Sequence, residues 1–374
     1  MTTTLNCQGL RKKYPGQEQY ALGPDEEGVS IQAERGELLA LLGPSGCGKT
    51  TTLGIMGGFV EADQGRVEIE GRDVTGLKPY KRPTNTVFQG YALFPHMNVE
   101  SNVGFGLKMD GISKKERQGR VDRVLSLVGL EGYNKRKVSE LSGGQAQRAA
   151  LARAMAKEPA LLLLDEPLGA LDLKLRRQMQ EELVRLKERS GTTFVHVTHD
   201  QEEACAIADR VAVMEDGRIV QVDTPEELFR APASRYVAEF INAGTVISGE
   251  NARRGDMIEV RGPDIAVTGA ASRASNGSST FAAVLVPKML DIRPADRAGE
   301  GEAGTDEVTA TISHVVFNGS NHQVHATVSE ETDLRIDLGQ REYARFQEDG
   351  LEPGKPAIVS WHRSDVIMVA DERA

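Results

Sequence analysis

The sequence predicts an α/β domain built on a parallel sheet with an inserted helical subdomain, followed by a small all-β domain. Three observations predict it. From about residue 5 to 240, short apolar runs alternate with amphipathic stretches of helical period, as in a parallel sheet covered by helices. Two strands of that sheet, before Lys49 and before Asp165, are separated by far more than the ~30 residues of a simple βαβ unit, so something is inserted between them. Beyond about Asn242 residues 269–280 and 295–307 read as loops, and the period becomes two, with Val324, Ala326 and Val328, then Leu334, Ile336 and Leu338, alternating with polar residues. The expected division is 1–240 and 241–374, with the helical subdomain at about 90–157.

Composition narrows the function classes. The 374 residues carry 45 basic and 55 acidic side chains, a net charge of −10, which offers no global drive toward nucleic acid or anionic lipid. No apolar run approaches the ~18 residues needed to span a bilayer, so any membrane role must come through specific contacts. Met1–Cys7 meets Arg11-Lys12-Lys13 after only scattered apolar residues, so no signal peptide is expected and the reading is cytosolic. Cys7, Cys47 and Cys205 lie far apart with no CxxC pair, in keeping with a reducing compartment.

Along the chain, Glu37–Leu42 reads as a buried strand, and Gly43-Pro44-Ser45-Gly46-Cys47-Gly48-Lys49-Thr50 after it matches GxxxxGK[ST] ahead of the helix-like Thr51–Met56. Glycines let the backbone wrap so that N–H groups point inward at phosphate oxygens, and the helix adds its positive end. Lys49 would reach the outer phosphates and the Thr50 hydroxyl would ligate Mg2+. Cys47 reads as a tolerated small residue in an electropositive setting able to lower its pKa. Further on, Leu141-Ser142-Gly143-Gly144-Gln145 precedes a strongly helix-forming run, with Ser142 as N-cap, and makes a second anion site. Ala160–Leu164 is a strand ending in Asp165-Glu166, where Asp165 can hold a Mg2+-bound water and Glu166 can orient or deprotonate an attacking water. Leu175, Met179, Leu183 and Leu186 make one helical stripe on the sheet, and Thr193–Thr198 is a third strand.

With these motifs in order, the sequence resembles the ATP-binding subunit of ABC transporters over essentially the whole chain, as a P-loop ATPase domain with a helical insert. The resemblance also includes Gln89 in Val87-Phe88-Gln89, Leu171-Asp172, His199 in Thr198-His199-Asp200-Gln201-Glu202-Glu203-Ala204, and Tyr14 as the aromatic that stacks on adenine. It implies ATP and Mg2+ as cofactors and a homodimer with two ATP molecules at its seam. Nucleotide contacts are implied at Tyr14, Gly43–Thr51, Ser142–Gln145 and Asp172, with the last two sets serving the partner's nucleotide or the seam. Glu166, His199 and Gln89 are implied as catalytic, and Thr50, Gln89 and Asp165 as metal-binding. The sequence departs from the family pattern at Gly90, Ala146 and Gly169, none of which removes a catalytic group.

A separate ATPase with a C-terminal β domain looks like the importer branch, where such domains are OB-like TOBE barrels, and Asp291–Pro294, Phe317–Ser320 and Val359–Trp361 resemble recurring TOBE segments. Lys81–Gln89, Tyr91–Met97 and Asp172–Gln180 look most like spermidine/putrescine importer ATPases, with sugar, ferric-ion and opine importers as close relatives. The resemblance implies two transmembrane permease subunits, an extracytoplasmic solute-binding protein acting indirectly, no nucleic acid, and a place on the cytoplasmic face of the inner membrane. Tyr91, Phe94 and Pro95 are the expected permease contact, or else local packing. A non-transport ABC ATPase acting on nucleic acid or ribosomes, and a kinase, are the rival classes. His314, His322, His325 and His362 are expected to be surface or core residues, since three-residue spacing puts His322 and His325 on opposite faces of a strand.

Overall fold

A computed structural model describes residues 2–88, 90–169, 171–271, 279–299 and 303–371. The chain divides into two compact units, Met1–Pro225 and Glu226–Ala374.

The first unit opens with β1 (Thr3–Arg11), β2 (Val29–Glu34) and β3 (Leu38–Leu42), followed by α1 (Lys49–Gly57), β4 (Gln64–Ile69), β5 (Arg72–Asp73) and β6 (Thr84–Val87). The helical insert comprises α2 (Val99–Val103), α3 (Phe105–Met109), α4 (Lys114–Leu127) and α5 (Gly143–Met155). The chain returns through β7 (Leu161–Asp165), α6 (Leu173–Ser190), β8 (Thr193–Thr198), α7 (Gln201–Ile207), β9 (Arg210–Glu215) and β10 (Arg218–Asp223).

The central sheet has the order β10-β9-β3-β8-β7-β6, parallel throughout except for the β9–β10 hairpin. Its middle strands are apolar on both faces because two cores need them. Leu162, Leu164 and Phe194 join the helical core with Met179, Leu183 and Leu186 of α6, whereas Leu161, Leu163, Val195 and Val197 join a core with α1 and the N-terminal strands. Alternation of side chains along a strand sends neighbouring leucines to opposite layers, and each buried leucine contributes about 2 kcal/mol.

One layer departs from the expected all-parallel plan. β1, β2, β4 and β5 form a separate antiparallel sheet in the order β2-β1-β4-β5. Val29, Ile31 and Ala33 of β2 are buried while Ser30 and Gln32 between them are exposed, the period-two signature of a sheet with one wet face. Under it, α1 is held at its far end by Arg82, whose guanidinium donates to the carbonyl oxygens of Ile55, Met56, Thr75 and Leu77 at 2.7–2.9 Å. Two of these bonds fall on the Ile55 and Met56 carbonyls in the last turn of α1, and the other two tie that end to the 75–77 segment, setting the helix that follows the phosphate loop.

The second unit takes in most of α8 (Pro225–Arg230), then α9 (Arg235–Phe240), β11 (Thr245–Ser248), β12 (Glu250–Arg254), β13 (Met257–Arg261), β14 (Ala266–Ala270), β15 (Phe281–Leu285), β16 (Leu290–Pro294) and β17 (Thr305–Phe317). It closes with β18 (His322–Thr327), β19 (Asp333–Leu338), α10 (Gln340–Glu348), β20 (Pro356–His362) and β21 (Ile367–Ala370). The division falls earlier than the expected 240/241. The reason is that α9 belongs to the β unit: its Arg235 pairs with buried Asp371 at 3.2 Å, and Ser234 at its N-cap bridges Ala370.

Among the described residues, the strand pairs of this unit are all antiparallel, in two three-stranded sheets and one five-stranded sheet ordered β16-β20-β17-β18-β19. The alternating residues Val324, Ala326, Leu334 and Ile336 are fully buried in its core, as the period of two requires. The stretches expected as loops are shorter than predicted, because β14 runs through Gly269 and Ala270 and β17 begins at Thr305. Residues 272–278 and 300–302 of those stretches lie outside the described residues. His322 stacks on Tyr343 at 3.6 Å, and His325 stacks on His314 at 4.1 Å while bonding Asp333 at 2.8 Å.

Candidate active site

Three neighbouring parallel strands, β3, β8 and β7, end at nearly the same level: Leu42 pairs with Thr198, and Val197 with Asp165. The phosphate-loop sequence leaves β3, His199 leaves β8, and the Asp165-Glu166 pair closes β7. Carboxyl ends of parallel strands are where open α/β sheets bind ligands.

The loop needs its glycines for two different reasons. Gly46 and Gly48 have φ of +86° and +101°, a region that side chains avoid. Gly43 is needed for space, since a Cβ there would meet the Met214 carbonyl oxygen at 2.5 Å and Cys47 Sγ at 2.6 Å. Helix α1 starts without a side-chain cap, so its first N–H groups stay free for another acceptor. Lys49, 5% exposed, donates from Nζ to the carbonyl oxygens of Gly43 and Pro44, both at 2.7 Å. A buried cation hydrogen-bonded to two neutral carbonyl oxygens and a thiol, beside an uncapped helix start, fits a polyphosphate. Thr50, Pro44, Ser45 and Gly46 are exposed. Tyr14 approaches from the β1–β2 connection, its hydroxyl 3.3 Å from Thr51 Oγ1, and shares a cleft with Tyr20, Ala21 and Gly46.

Cys47 is buried, in keeping with a tolerated small residue, and its electropositive setting does not lower its pKa. Burial pushes its thiol above the ordinary value despite Lys49 Nζ at 3.7 Å, because desolvation of a thiolate here outweighs the neighbouring charge.

Asp165 is half-buried, and its carboxyl is raised above the usual range first by burial and then by Glu166, with Lys49 opposing. An acid whose folded pKa is raised binds more protons folded than unfolded, so folding stability falls as pH rises through that window and stays lower above it. Replacing Asp165→Asn is therefore expected to raise the melting temperature of the nucleotide-free chain at pH 7, with the gain shrinking as pH approaches 4. The same variant should lose Mg2+-dependent turnover. A melting temperature lowered at pH 7 would overturn this assignment of the charge penalty.

Glu166 is one of seven non-glycine residues at positive φ among those described, at +44°. Such backbone costs about 1 kcal/mol or more and persists where the surroundings hold it. Here Glu166 N donates to Val197 O at 3.1 Å, while the side chain meets His199 Nδ1 at 3.2 Å. The strained turn thus aims the carboxylate at the residue leaving the next strand.

The LSGGQ sequence starts α5 with a capping box: Ser142 Oγ accepts from Gln145 N, and Gln145 Oε1 accepts from Ser142 N at 3.0 Å. Gly144 lets the Leu175 side chain pack closely on this turn, since a Cβ there would meet Leu175 Cδ1 at 3.0 Å. Asp172 caps α6 by accepting from Leu175 N at 2.9 Å. Among the described residues, no hydrogen bond or ion pair joins Ser142–Gln145 or Asp172 to Gly43–Thr51 of the same chain. Gln89 lies outside the described residues; β6, which leads to it, pairs Val87 with Leu164 beside the acidic pair. Of the apolar residues that follow, Pro95 is exposed, while Tyr91 and Phe94 are half-buried.

One group escaped the motif reading. His196, fully buried in β8, bonds Glu203 of α7 at 2.6 Å, and Glu203 also accepts from Thr198 Oγ1 at 3.1 Å. The signal was a single histidine inside an apolar strand, which demands a buried partner.

A phosphate loop, an acidic strand end and a histidine on the strand between them define a P-loop ATPase. The model of the ABC transporter family matches residues 27–169. The chain is 44% identical to the spermidine/putrescine import ATP-binding protein PotA of Rubrobacter xylanophilus, over 93% of this chain and 90% of that one. Among solved structures, cbiO1 from Clostridium perfringens, part of the ABC transporter complex cbiONQ, aligns with a TM-score of 0.57 at 28% identity, covering 62% of this chain and 92% of that one. The ATP-binding cassette MJ0796, dimeric and bound to ADP and Pi after hydrolysis, aligns with a TM-score of 0.51 at 31% identity, covering 59% and 98%. The chain belongs to the ABC transporter family, as an ATPase that uses ATP with Mg2+. None of its helices among the described residues is long and apolar enough to cross a membrane.

Proposed function

We propose that this chain powers import of spermidine, putrescine or a related polyamine, working as a homodimer on the cytoplasmic face of the membrane, docked on two permease subunits. The observation that carries this reading is the 44% identity to a spermidine/putrescine import ATP-binding protein over 93% of the chain. In this reading the solute reaches the permease through an extracytoplasmic binding protein and never touches the ATPase.

Bound Mg2+ supplies neutralisation of phosphate charge. Lys49 and the N–H groups of Gly43–Thr51 hold the phosphates, Tyr14 stacks on adenine, and Thr50, Gln89 and Asp165 hold the metal or its waters. Glu166 takes the proton from the attacking water, and His199, 3.2 Å from Glu166 Oε1, keeps that geometry. Ser142, Gly143, Gly144 and Gln145 of one chain serve the nucleotide of its partner, with Asp172 at the seam. Their separate local bonding, and the dimeric form of the similar MJ0796 cassette, support a site completed by two chains. The C-terminal unit is a TOBE-like domain, for which its antiparallel sheets are the support.

ATPase activity of this chain reconstituted with its own permease subunits tests the reading. Stimulation by binding protein loaded with spermidine or putrescine, and not by the empty form, is the expected result. Stimulation only by a different loaded solute would overturn the polyamine assignment and leave the ATPase role standing.

A further inference from the structure

The segment that follows β6 is held by two side chains from different helices. On one side, Asn102 of α2, fully buried, accepts from Phe94 N at 2.8 Å and donates to the carbonyl oxygens of Phe94 and Asn98, both at 3.1 Å. On the other, Arg153 in the last turn of α5 forks between two consecutive carbonyls, donating to Tyr91 O at 3.0 Å and Ala92 O at 2.6 Å. Its guanidinium also lies 5.5 Å from the Phe94 ring, which packs on Phe105 at 4.7 Å.

The two carbonyls that Arg153 holds belong to residues at φ of +59° and +48°, a conformation disfavoured for tyrosine and alanine. Two donors in a rigid planar fork suit two adjacent carbonyls, which a lysine ammonium would meet as a point charge. Helix α5 is a single rod from the LSGGQ cap at Ser142 to Arg153, so a displacement at its first turn is carried along its length. The left-handed pair Tyr91-Ala92 is the compliant end of that linkage, because strain there is held only while its partners hold it.

We propose that Arg153 is a positioning residue that couples α5, and through it the nucleotide met by Ser142–Gln145, to the conformation of the 91–94 segment. This rests on the reading that α5 presents its first turn to nucleotide. Asn102 anchors the segment to α2 at Phe94 and Asn98, and Arg153 transmits at Tyr91 and Ala92.

The test is hydrogen exchange of the amides of residues 91–98 in the full-length chain, with and without Mg2+ and a non-hydrolysable ATP analogue. In the wild-type chain, the analogue is expected to change exchange there by about fivefold or more, the low end of coupling between sites. Arg153→Met should abolish that response while leaving affinity for the analogue within about twofold, as expected of a group that touches no nucleotide. Arg153→Lys keeps the stem and charge, preserves packing, and should retain less than half of the response. A segment in either variant that responds as in wild type, or a wild-type segment that does not respond although the analogue binds, overturns the proposal. Failure of the wild-type chain to bind the analogue, read by equilibrium titration, overturns the nucleotide reading beneath it as well. In the assembled importer, Arg153→Met should keep basal turnover and lose solute-stimulated turnover.

Discussion

Glu166→Gln is expected to bind ATP as tightly as the wild-type chain and to hydrolyse it about 10²–10⁴-fold more slowly, the usual worth of a general base. The amide keeps the volume of the side chain and its ability to meet His199 Nδ1, 3.2 Å away in the parent, but it cannot accept a proton from water. Asp165, the other acid at the end of β7, does not replace it. Its carboxyl is the one raised by burial and by Glu166 itself, so removing the Glu166 charge favours ionised Asp165 and metal binding more than proton transfer. With hydrolysis blocked and the phosphates held from both chains, the variant should accumulate as a dimer in ATP. Phosphate release and the molar mass by light scattering measure both effects. Rapid turnover, with monomers persisting in ATP, would remove Glu166 from the role of base.

Glu203→Leu should cost about 3 kcal/mol or more of folding stability, because it strips two buried polar partners at once. Glu203 is 3% exposed, and its carboxylate serves His196 Nε2 and Thr198 Oγ1. Leucine fills comparable space but leaves both without a partner from that side chain. The damage should reach catalysis, since Thr198 Oγ1 accepts from Asp200 N at 3.0 Å, and Asp200 caps α7 and pairs with Arg176 at 3.0 Å. His199 sits between Thr198 and Asp200 in this braced turn. Loss of stability read from urea unfolding, together with a fall in kcat beyond that of Glu203→Gln, is the expected pair of results. A Glu203→Leu chain as stable and as active as its parent would show that the network braces nothing.

Most of the site was legible before any coordinates because its chemistry demands residue types at set distances along the chain. Gly43–Thr50 after an apolar strand, and Asp165-Glu166 at the end of another, locate themselves, since only glycine tolerates the loop and only a strand end presents the acids. Ser142 likewise announced its helix, and the capping box with Gln145 forms as the spacing requires. The His196–Glu203 pair was not legible. His196 belongs to no motif, nothing in the Thr198–Ala204 stretch marks Glu203 as its partner, and their meeting depends on how α7 packs after β8.

The antiparallel layer was missed for a related reason. Its alternation is real in Val29–Ala33, but short alternating strands beside strongly apolar ones are easily absorbed into a single parallel sheet. The domain boundary moved because α9 has no sequence mark tying it to either side; Arg235 reaching Asp371 is a contact across most of the second unit's length in sequence.

By itself the sequence determined the local chemistry: the wrapping loop, the paired acids, the capped LSGGQ helix and the change of period that marks the β unit. Each follows from propensities and spacings within a few residues, where covalent connection fixes who meets whom. Only the tertiary structure decided that burial raises the Cys47 thiol despite Lys49, that Glu203 braces the His199 turn, and that Arg153 grips the Tyr91-Ala92 carbonyls. Desolvation and long-range pairing are sums over neighbours brought by other elements, and those neighbours exist only once the layers have packed.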